Sequence, residues 1–208
     1  MAKKGYLRKD PYYKKAKELG FRSRSAFKLL DINKKYRLLE PGMQVIDLGC
    51  APGGWIQVLS KEVGPSGMVV GIDLDAVGLP QTKNVMFIRG DIREERTRQL
   101  LLATLSRKVD LVVSDIAPNL SGIPFQDHYN SYELAEQAFR LCRLVLRQSG
   151  TFVVKIFPGE ELEQFKNHLK SSFPRVTPYI PEATRKSSTE VYLIAKGFIP
   201  SNNGNYYP

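Results

Sequence analysis

Short apolar runs alternate along the chain with segments in which apolar residues recur at helical spacing. The runs are rich in Val and Ile and apolar on both faces, and they occupy residues 43–50, 67–75, 84–92, 110–118, 151–157 and 189–198. Helical patterns lie between them, at roughly 53–63, 94–107, 130–147 and 160–172, and a further one runs from about Ser23 to Arg37. Strands that are apolar on both faces are typical of a parallel sheet covered by helices on both sides. The alternation therefore predicts a doubly wound α/β domain.

Two loops of this predicted domain, 117–129 and 178–188, follow strand ends, where ligands bind in such sheets. A chain of 208 residues suits one core. We expect no membrane span, since no apolar run approaches about 18 residues, and no secretion signal, since the charged start lacks an apolar stretch. The only cysteines, Cys50 and Cys142, suggest no disulfide framework. These features favour a reducing, cytoplasmic compartment.

Positive charge is concentrated at the start of the chain. Residues 1–40 hold 13 Lys and Arg against 4 Asp and Glu, whereas the other 168 residues hold 18 against 17. Tyrosines and phenylalanines are interleaved with these charges. One interpretation is a solvated charged face, and the other is a phosphate-binding arm for RNA over residues 1–22. A catalytic domain over 23–199 and a polar, flexible tail over 200–208 complete the predicted organisation.

The stretch VIDLGCAPGGW, residues 45–55, predicts a strand that turns sharply into a helix. In α/β sheets the first unit of this kind holds the cofactor. The turn Gly49–Gly54 has Ala51 where the dinucleotide pattern G-x-G-x-x-G has its middle glycine. Asp47, just upstream, is poorly placed beside a pyrophosphate but well placed for a cationic amino-acid ligand. The pattern therefore disfavours a dinucleotide.

Two further carboxylates follow the next two strands. Asp73 lies about 20 residues beyond the turn, where an acid takes ribose hydroxyls. Asp91 ends the third strand, where an acid can accept a hydrogen bond from an adenine amino group. Together with Asp47, these acids suit an adenosine that carries a cationic amino acid and no phosphate, which is S-adenosylmethionine. The alternative is that they cap helices or close turns, and Trp55 either packs against the cofactor or fills the core.

Charged residues also interrupt apolar strands near their ends. Lys155 lies in TFVVKIF, and because a lysine is costly to bury, it is expected to emerge at the carboxyl end of the strand beside the cofactor. Asp115 ends the preceding strand, and Glu190 starts the last one, at the same edge if that strand runs antiparallel. Lys28 lies on the first predicted helix. The ordinary alternatives are a solvated Lys28 paired with Asp31, and an edge-strand charge at Glu190.

These motifs together resemble the FtsJ, or RrmJ-like, family of RNA ribose 2′-O-methyltransferases. The matching pieces occur in order over residues 10–197, and they are SRSAFKL, DLGCAPGGW, GIDL, GDI, DLVVSDIAPN, VKIF and SSTEVYL. The resemblance implies a seven-stranded, Rossmann-like, mostly parallel sheet with an antiparallel last strand and a strand near Arg175–Ile180. It implies a catalytic tetrad of Lys28, Asp115, Lys155 and Glu190. The cofactor contacts that it and the turn predict are Asp47, Gly49, Gly53, Trp55, Asp73, Asp91 and Asp115.

In this hypothesis Lys155 accepts the proton of a ribose 2′-hydroxyl, and the other tetrad residues orient it. No metal is expected, and His128 and His168 lie far apart without ligand spacing. The resemblance favours large-subunit ribosomal RNA, at a uridine of the A-loop, over a transfer RNA anticodon loop, and we expect a monomer. Two other classes stay open. A nicotinamide-dependent dehydrogenase would leave the lysines and the arm unexplained, and a non-catalytic RNA-binding assembly factor need not keep the tetrad.

Overall fold

The computed structural model describes residues 10–78, 82–185 and 188–200. The first nine residues of the predicted arm and residues 201–208 of the predicted tail lie outside these ranges. Within the described ranges the helices are α1 (Pro11–Glu18), α2 (Ala26–Tyr36), α3 (Gly54–Val63), α4 (Glu95–Thr104), α5 (Pro124–Val145) and α6 (Glu161–Lys170). The strands are β1 (Gln44–Leu48), β2 (Met68–Asp73), β3 (Val85–Arg89), β4 (Val109–Ser114), β5 (Leu146–Ile156), β6 (Arg175–Tyr179) and β7 (Val191–Lys196).

The strands form one sheet in the order β3-β2-β1-β4-β5-β7-β6. Strands β1 to β5 are parallel, and β7 runs antiparallel to both of its neighbours. The strand order reverses between β1 and β4, and ligands bind at the carboxyl ends of strands beside such a reversal. The predicted fold is confirmed, including the strand that the family resemblance implies near Arg175–Ile180, which is β6.

Helices cover both faces of the sheet, so that alternate side chains of each strand enter different cores. The core beneath α4, α5 and α6 contains a cluster of five phenylalanines, Phe139, Phe152, Phe165, Phe173 and Phe198. The core beneath α2 and α3 contains smaller aliphatic residues together with Trp55 and Tyr192. None of the helices in the described part of the chain combines the length and the apolar character that a membrane span needs.

The longest helix begins earlier than the sequence pattern predicts. Residues 124–129, predicted as part of a loop, form the first turns of α5. Pro124 occupies the first helical turn, where its missing N–H costs little, so it starts the helix instead of preventing it. At the other end, Leu146 belongs to β5 and not to the predicted helix, because it pairs with Val109 of β4.

Part of the basic arm is a helix that packs on the domain. Asp10 caps α1 by accepting hydrogen bonds from backbone N–H groups of the first turn, including that of Tyr12 at 3.1 Å. Ala16 of α1 is buried together with Phe27 of α2 and Ala183, which lies between β6 and β7. The residues from Asp10 onward therefore belong to the folded domain.

Candidate active site

The turn after β1 has a shape that requires glycine. Gly49 has a φ of +76°, and a Cβ atom there would lie 2.6 Å from Cγ1 of Ile116 and 3.0 Å from its backbone. Gly53 has a φ of +102° and is the N-cap residue immediately before α3. L-residues with side chains rarely adopt these conformations. The glycines predicted from the sequence thus let the backbone turn sharply at the carboxyl edge of the sheet.

Asp73, at the end of β2, holds this turn in place. Its Oδ2 accepts a hydrogen bond from the backbone N–H of Ala51 at 2.8 Å, and its Oδ1 accepts one from that of Asp75 at 2.9 Å. Both donors lie in loops beyond the carboxyl ends of parallel strands. The carboxylate therefore lies beside the turn, at the edge of the sheet where a ligand is expected.

Asp91 follows β3 and is held by an arginine two residues away. The Nε atom of Arg93 lies 3.0 Å from both carboxylate oxygens, and Nη2 lies 2.5 Å from Oδ2. The Arg93 hydrogen bond keeps the pKa of Asp91 below its ordinary value, although partial burial acts in the opposite direction. Asp91 is therefore ionised at neutral pH.

A cavity of about 750 Å³ opens at this edge of the sheet. Four of the predicted cofactor residues line it, and they are Gly49, Asp73, Asp91 and Asp115. The loop after β4 and the first turns of α5 close one side, through residues such as Asn119 and Glu133. The volume is typical of sites for small molecules. Carboxylates on its wall suit a ligand that carries a positive charge and several hydrogen-bond donors.

The other three predicted cofactor residues lie outside the wall of this cavity. Asp47 is completely buried inside β1, and within the described residues neither of its carboxylate oxygens has a hydrogen-bond partner. Burial, followed by the charges of Asp115 and Asp73, raises the pKa of Asp47 well above its ordinary value. Gly53 shapes the turn, and Trp55 is buried. Direct cofactor contacts by these three residues stay a prediction.

Lys155 emerges at the carboxyl end of β5, as its sequence pattern predicts, and it is well paired there. Its Nζ lies 2.9 Å from Oδ1 of Asp115 and donates a hydrogen bond of 2.7 Å to the backbone carbonyl of the same residue. Lys155 is only 7% exposed. A buried ammonium group is tolerated because a carboxylate and a carbonyl replace the water that it loses.

Strand periodicity explains why these groups meet. Asp115 and Lys155 lie two positions beyond Val113 and Val153, whose side chains enter the core beneath α2 and α3. Side chains two positions apart in a strand share a face, so both charged groups point toward the side that α2 covers. Lys155 also pairs in register with Tyr192 of the antiparallel strand β7.

Tyr192 is a site residue that the sequence reasoning missed. Its hydroxyl donates a hydrogen bond of 2.7 Å to Oδ1 of Asp115, and its ring centre lies 5.8 Å from that of Trp55. Burial would raise the pKa of Asp115, but Lys155, Lys28 and this hydroxyl outweigh it and hold the pKa below its ordinary value. The sequence did contain a clue to Tyr192, because this residue places a hydroxyl two positions after Glu190 in a strand that is apolar on both faces.

Lys28 and Glu190 form a second ion pair. Lys28 projects from α2, and Glu190 lies immediately before β7. The pair lies on the wall of a second cavity of about 720 Å³, which also has Arg24 and Arg185 on its wall. All four tetrad residues are therefore brought together, with Asp115 on the first cavity and the Lys28–Glu190 pair on the second.

A model of the FtsJ-like methyltransferase family matches residues 21–198. The chain belongs to this family. Ribosomal RNA large subunit methyltransferase E of Halorubrum lacusprofundi is 47% identical over 190 residues, which cover 91% of this chain and 71% of the relative. The protein of the same name from Stutzerimonas stutzeri is 46% identical over 190 residues, which cover 91% of each chain.

Solved structures agree with the family assignment. The crystal structure of a ribosomal RNA methyltransferase from Plasmodium falciparum is 30% identical, with a TM-score of 0.76 over 87% of this chain and 100% of that chain. Aeropyrum pernix fibrillarin with bound S-adenosylmethionine is 20% identical, with a TM-score of 0.58 over 84% of this chain and 74% of that chain. The second likeness shows the fold alone.

This FtsJ-like methyltransferase is an S-adenosylmethionine-dependent enzyme, and its first cavity fits that cofactor. The loops that hold Asp73 and Asp91 leave these carboxylates on the cavity wall, where hydroxyl and amino donors can reach them. Gly49 lets Ile116 pack closely against the turn beside them. The cationic sulfonium and ammonium groups of the cofactor suit a wall that carries acidic side chains.

Proposed function

We propose that this enzyme transfers a methyl group to a ribose 2′-hydroxyl of large-subunit ribosomal RNA, at a uridine of the A-loop, with the Lys28, Asp115, Lys155 and Glu190 tetrad. The observation that carries this proposal is that the two ion pairs of the tetrad adjoin two cavities, with Asp115 on the wall of the acidic one and Lys28 and Glu190 on the wall of the second. The printed names of the relatives at 46–47% identity support the ribosomal substrate.

The cofactor, when bound, supplies a methyl group on a sulfonium that is open to in-line displacement. Asp73 would accept hydrogen bonds from the ribose hydroxyls of the cofactor, and Asp91 would accept one from its adenine amino group. Asp115 lines the same cavity and pairs with Lys155. In-line transfer depends on the position of the acceptor oxygen, so these contacts accelerate the reaction by fixing the donor.

The 2′-hydroxyl must lose its proton as the new C–O bond forms. In this proposal Lys155 is the group that accepts this proton, and Asp115, 2.9 Å away, stabilises its ammonium form. The cofactor, when bound, would supply the methyl group and keep the electron pair of the broken S–C bond on its sulfur. Glu190 fixes Lys28 at the acceptor side, where the ammonium group orients the ribose.

The acceptor cavity has the composition of an RNA site. Arg24, Lys28 and Arg185 lie on its wall together with apolar and aromatic groups that include Phe157. Cations bind phosphates without reading sequence, so they position the strand. The basic residues of segment 1–22 form the RNA-binding arm of the proposal. The enzyme acts as a cytoplasmic monomer in this proposal, and both cysteines are free thiols.

The test is methyl transfer from labelled S-adenosylmethionine to unmodified large ribosomal subunits and, in parallel, to unmodified transfer RNA. K155A removes the proposed proton acceptor. K166A is the matched control, because Lys166 is also ion-paired, to Glu163 on α6, and lies outside the walls of both cavities. Cofactor binding by each variant is measured by calorimetry.

Label on large-subunit RNA that maps to the A-loop uridine ribose, and that is lost in K155A but kept in K166A, is the expected result. Label on transfer RNA alone would keep the chemistry and overturn the substrate. No label on either RNA, with cofactor binding intact, would overturn the proposed reaction. Cofactor affinity within about twofold of wild type in K155A is required, because it separates lost chemistry from lost folding.

The arm is tested separately by deletion of residues 1–9, which keeps the Asp10 cap and removes four cations, Lys3, Lys4, Arg8 and Lys9. Each phosphate contact that is lost should reduce the salt slope of RNA binding by roughly 0.7–0.9. An unchanged salt slope would mean that these charges form a solvated face and do not contact RNA. Cofactor affinity should not change in either case.

A further inference from the structure

A group of large apolar side chains is exposed beside the acceptor cavity. Leu120 is 70% exposed, Ile123 is 58% exposed and Phe125 is 70% exposed, and we call these three residues the apolar rim. They lie in the loop between β4 and α5 and in the first turn of that helix. Single exposed apolar residues are ordinary on a protein surface, whereas a contiguous group next to a ligand site marks an interaction surface.

The rim is held in a fixed shape. Oδ1 of Asp127 accepts hydrogen bonds from the backbone N–H of Ser121 at 2.7 Å and from its hydroxyl at 2.8 Å, and Oδ2 accepts one from the N–H of Gly122 at 3.3 Å. The Ser121 hydroxyl in turn accepts the N–H of Ile123 at 3.1 Å. Gly122 has a φ of +85°. These contacts organise the loop in the orientation that exposes its apolar side chains.

The acceptor cavity is lined by two chemically different sets of residues. Leu120 of the rim lines it together with His128 and Phe157, whose ring centres lie 6.4 Å apart. Arg24 and Arg185 are among the cationic residues of the same cavity. A nucleotide combines the matching groups, since its phosphate is anionic and its base has an apolar face. Ile123 and Phe125 of the rim follow Leu120 in the same loop and at the start of α5.

We propose that the apolar rim binds the unpaired base next to the methylated nucleotide, with Phe125 as its stacking surface and Leu120 and Ile123 as its edges. This inference rests on the proposed function, because it assumes that the nucleotide in the cavity belongs to RNA. Proteins recognise single-stranded RNA by stacking splayed bases on exposed aromatic rings. The cations on the cavity next to the rim favour an RNA strand over a protein partner, because positive side chains attract a polyanion.

The first experiment compares F125A, F125W and the control L102A with wild type on the RNA that takes methyl in the transfer assay. Leu102, on α4, is also an exposed apolar residue, and it lies outside both cavities. Loss of one base–aromatic stack weakens binding by about 5- to 150-fold. F125A should therefore raise KM within this range and leave the salt slope of binding unchanged, while F125W and L102A stay near wild type.

The second experiment identifies the occupant. Phe125 is replaced by the photoreactive residue p-benzoylphenylalanine, and Leu102 is replaced in the same way as the control. The protein is irradiated on the unmodified RNA substrate, in its assembled subunit where the subunit is the substrate. A crosslink at position 125 to a nucleotide adjacent to the methylated one, with none from position 102, is the expected result.

Three outcomes would overturn the proposal. They are an F125A variant with the KM of wild type, a crosslink from position 125 to a ribosomal protein, and a crosslink to a second copy of this chain. Each leaves the proposed function intact, because wild-type enzyme still methylates RNA and K155A still does not. The proposed function fails by a different result, which is the absence of methyl transfer by wild type itself.

Discussion

The two ion pairs of the tetrad are built in different ways. Lys155 and Asp115 lie at the ends of adjacent parallel strands, and the carboxylate is fixed further by the Tyr192 hydroxyl. Lys28 and Glu190 come from a helix and from the residue before β7, and they line the second cavity. The first pair is therefore part of the sheet, whereas the second depends on how α2 and the segment between β6 and β7 pack against it.

This difference in construction suggests different roles for the two ion pairs, one in the chemical step and one in placing the acceptor ribose. A group that accepts a proton must keep its position relative to the cofactor, and a sheet holds such positions more rigidly than a loop. A group that orients RNA must instead meet a partner that arrives from solvent. The sheet pair should therefore control the chemical step, and the helix–loop pair should control how well the acceptor ribose is placed.

The largest expected effect is the loss of either member of the sheet pair. K155A and D115N should each reduce kcat by about 10²- to 10⁴-fold, because the first lacks the proton acceptor and the second cannot stabilise the resulting ammonium. Single-turnover rates with saturating RNA measure this effect. D115N should also weaken cofactor binding, since Asp115 lines the first cavity.

The role of the sheet pair in the chemical step would be contradicted if K155A reduced kcat no more than the control K166A. Thermal unfolding of each variant shows whether the buried partner that remains has destabilised the fold.

The second largest effect concerns the helix–loop pair. K28A and E190Q should each reduce kcat/KM by about 10-fold to 100-fold, since a displaced acceptor lowers the rate without removing the proton acceptor. The double variant K28A/E190Q should lose little more than either single variant, because the two residues act as one unit. Additive losses would show that the two side chains have independent roles.

Most of the fold could be predicted from the sequence, because strands buried on both faces have a distinct apolar pattern. Six strands and a mostly parallel sheet followed from that pattern, whereas β6 and the antiparallel last strand came from the family resemblance. Lys155 stood out because it interrupts a strand that is otherwise apolar. The early start of α5 was missed because Pro124 and Gly122 are breaker residues in general, whereas this proline occupies the first turn of the helix.

The parts of the site that the sequence did not reveal depend on tertiary contacts. Tyrosine is an ordinary residue in a strand, so the sequence does not single out Tyr192. Only the register of β5 and β7 brings its hydroxyl to Asp115. The α1 helix is held by the packing of Tyr12 and Ala16 and by the ion pairs of Asp10 with Arg24 and Arg185, and both sets of contacts reach residues distant in sequence. Asp47 was expected at a strand end, and it lies inside β1 because the strand continues to Leu48.

The third prediction tests whether the helix–loop side depends on the contacts of α1. Asp10 pairs with Arg24 and Arg185, and Arg24 also donates a hydrogen bond to the backbone carbonyl of Ala183. D10N keeps a good helix cap and removes the charge, whereas D10A removes both. We expect D10A to lower the free energy of unfolding by about 1 kcal/mol more than D10N.

The pH dependence of the Asp10 variants follows from its pKa. Burial raises this pKa, but the backbone hydrogen bond of Tyr13 and the two arginines outweigh burial and leave it below the ordinary value of 3.8. The stabilisation is therefore complete above pH 3.8 and is lost as the pH falls through the lower, folded-state pKa. Urea unfolding of wild type and D10N should converge in that acid range, and parallel curves would contradict the assignment.

The smallest effect on activity is expected from substitution of Asp47, which is buried within β1. Burial and the charges of Asp115 and Asp73 raise the pKa of Asp47, so the native protein binds a proton that the unfolded chain releases above its ordinary pKa of 3.8. Stability from this group consequently falls as the pH rises from 3.8 toward the folded-state pKa. D47N is neutral at every pH and should lose this dependence while leaving kcat within about threefold of wild type. Calorimetry of cofactor binding completes the test. A more than tenfold loss of cofactor affinity in D47N would mean that Asp47 contacts the cofactor. The acidic cofactor site that includes Asp115 would then extend beneath the glycine turn after β1.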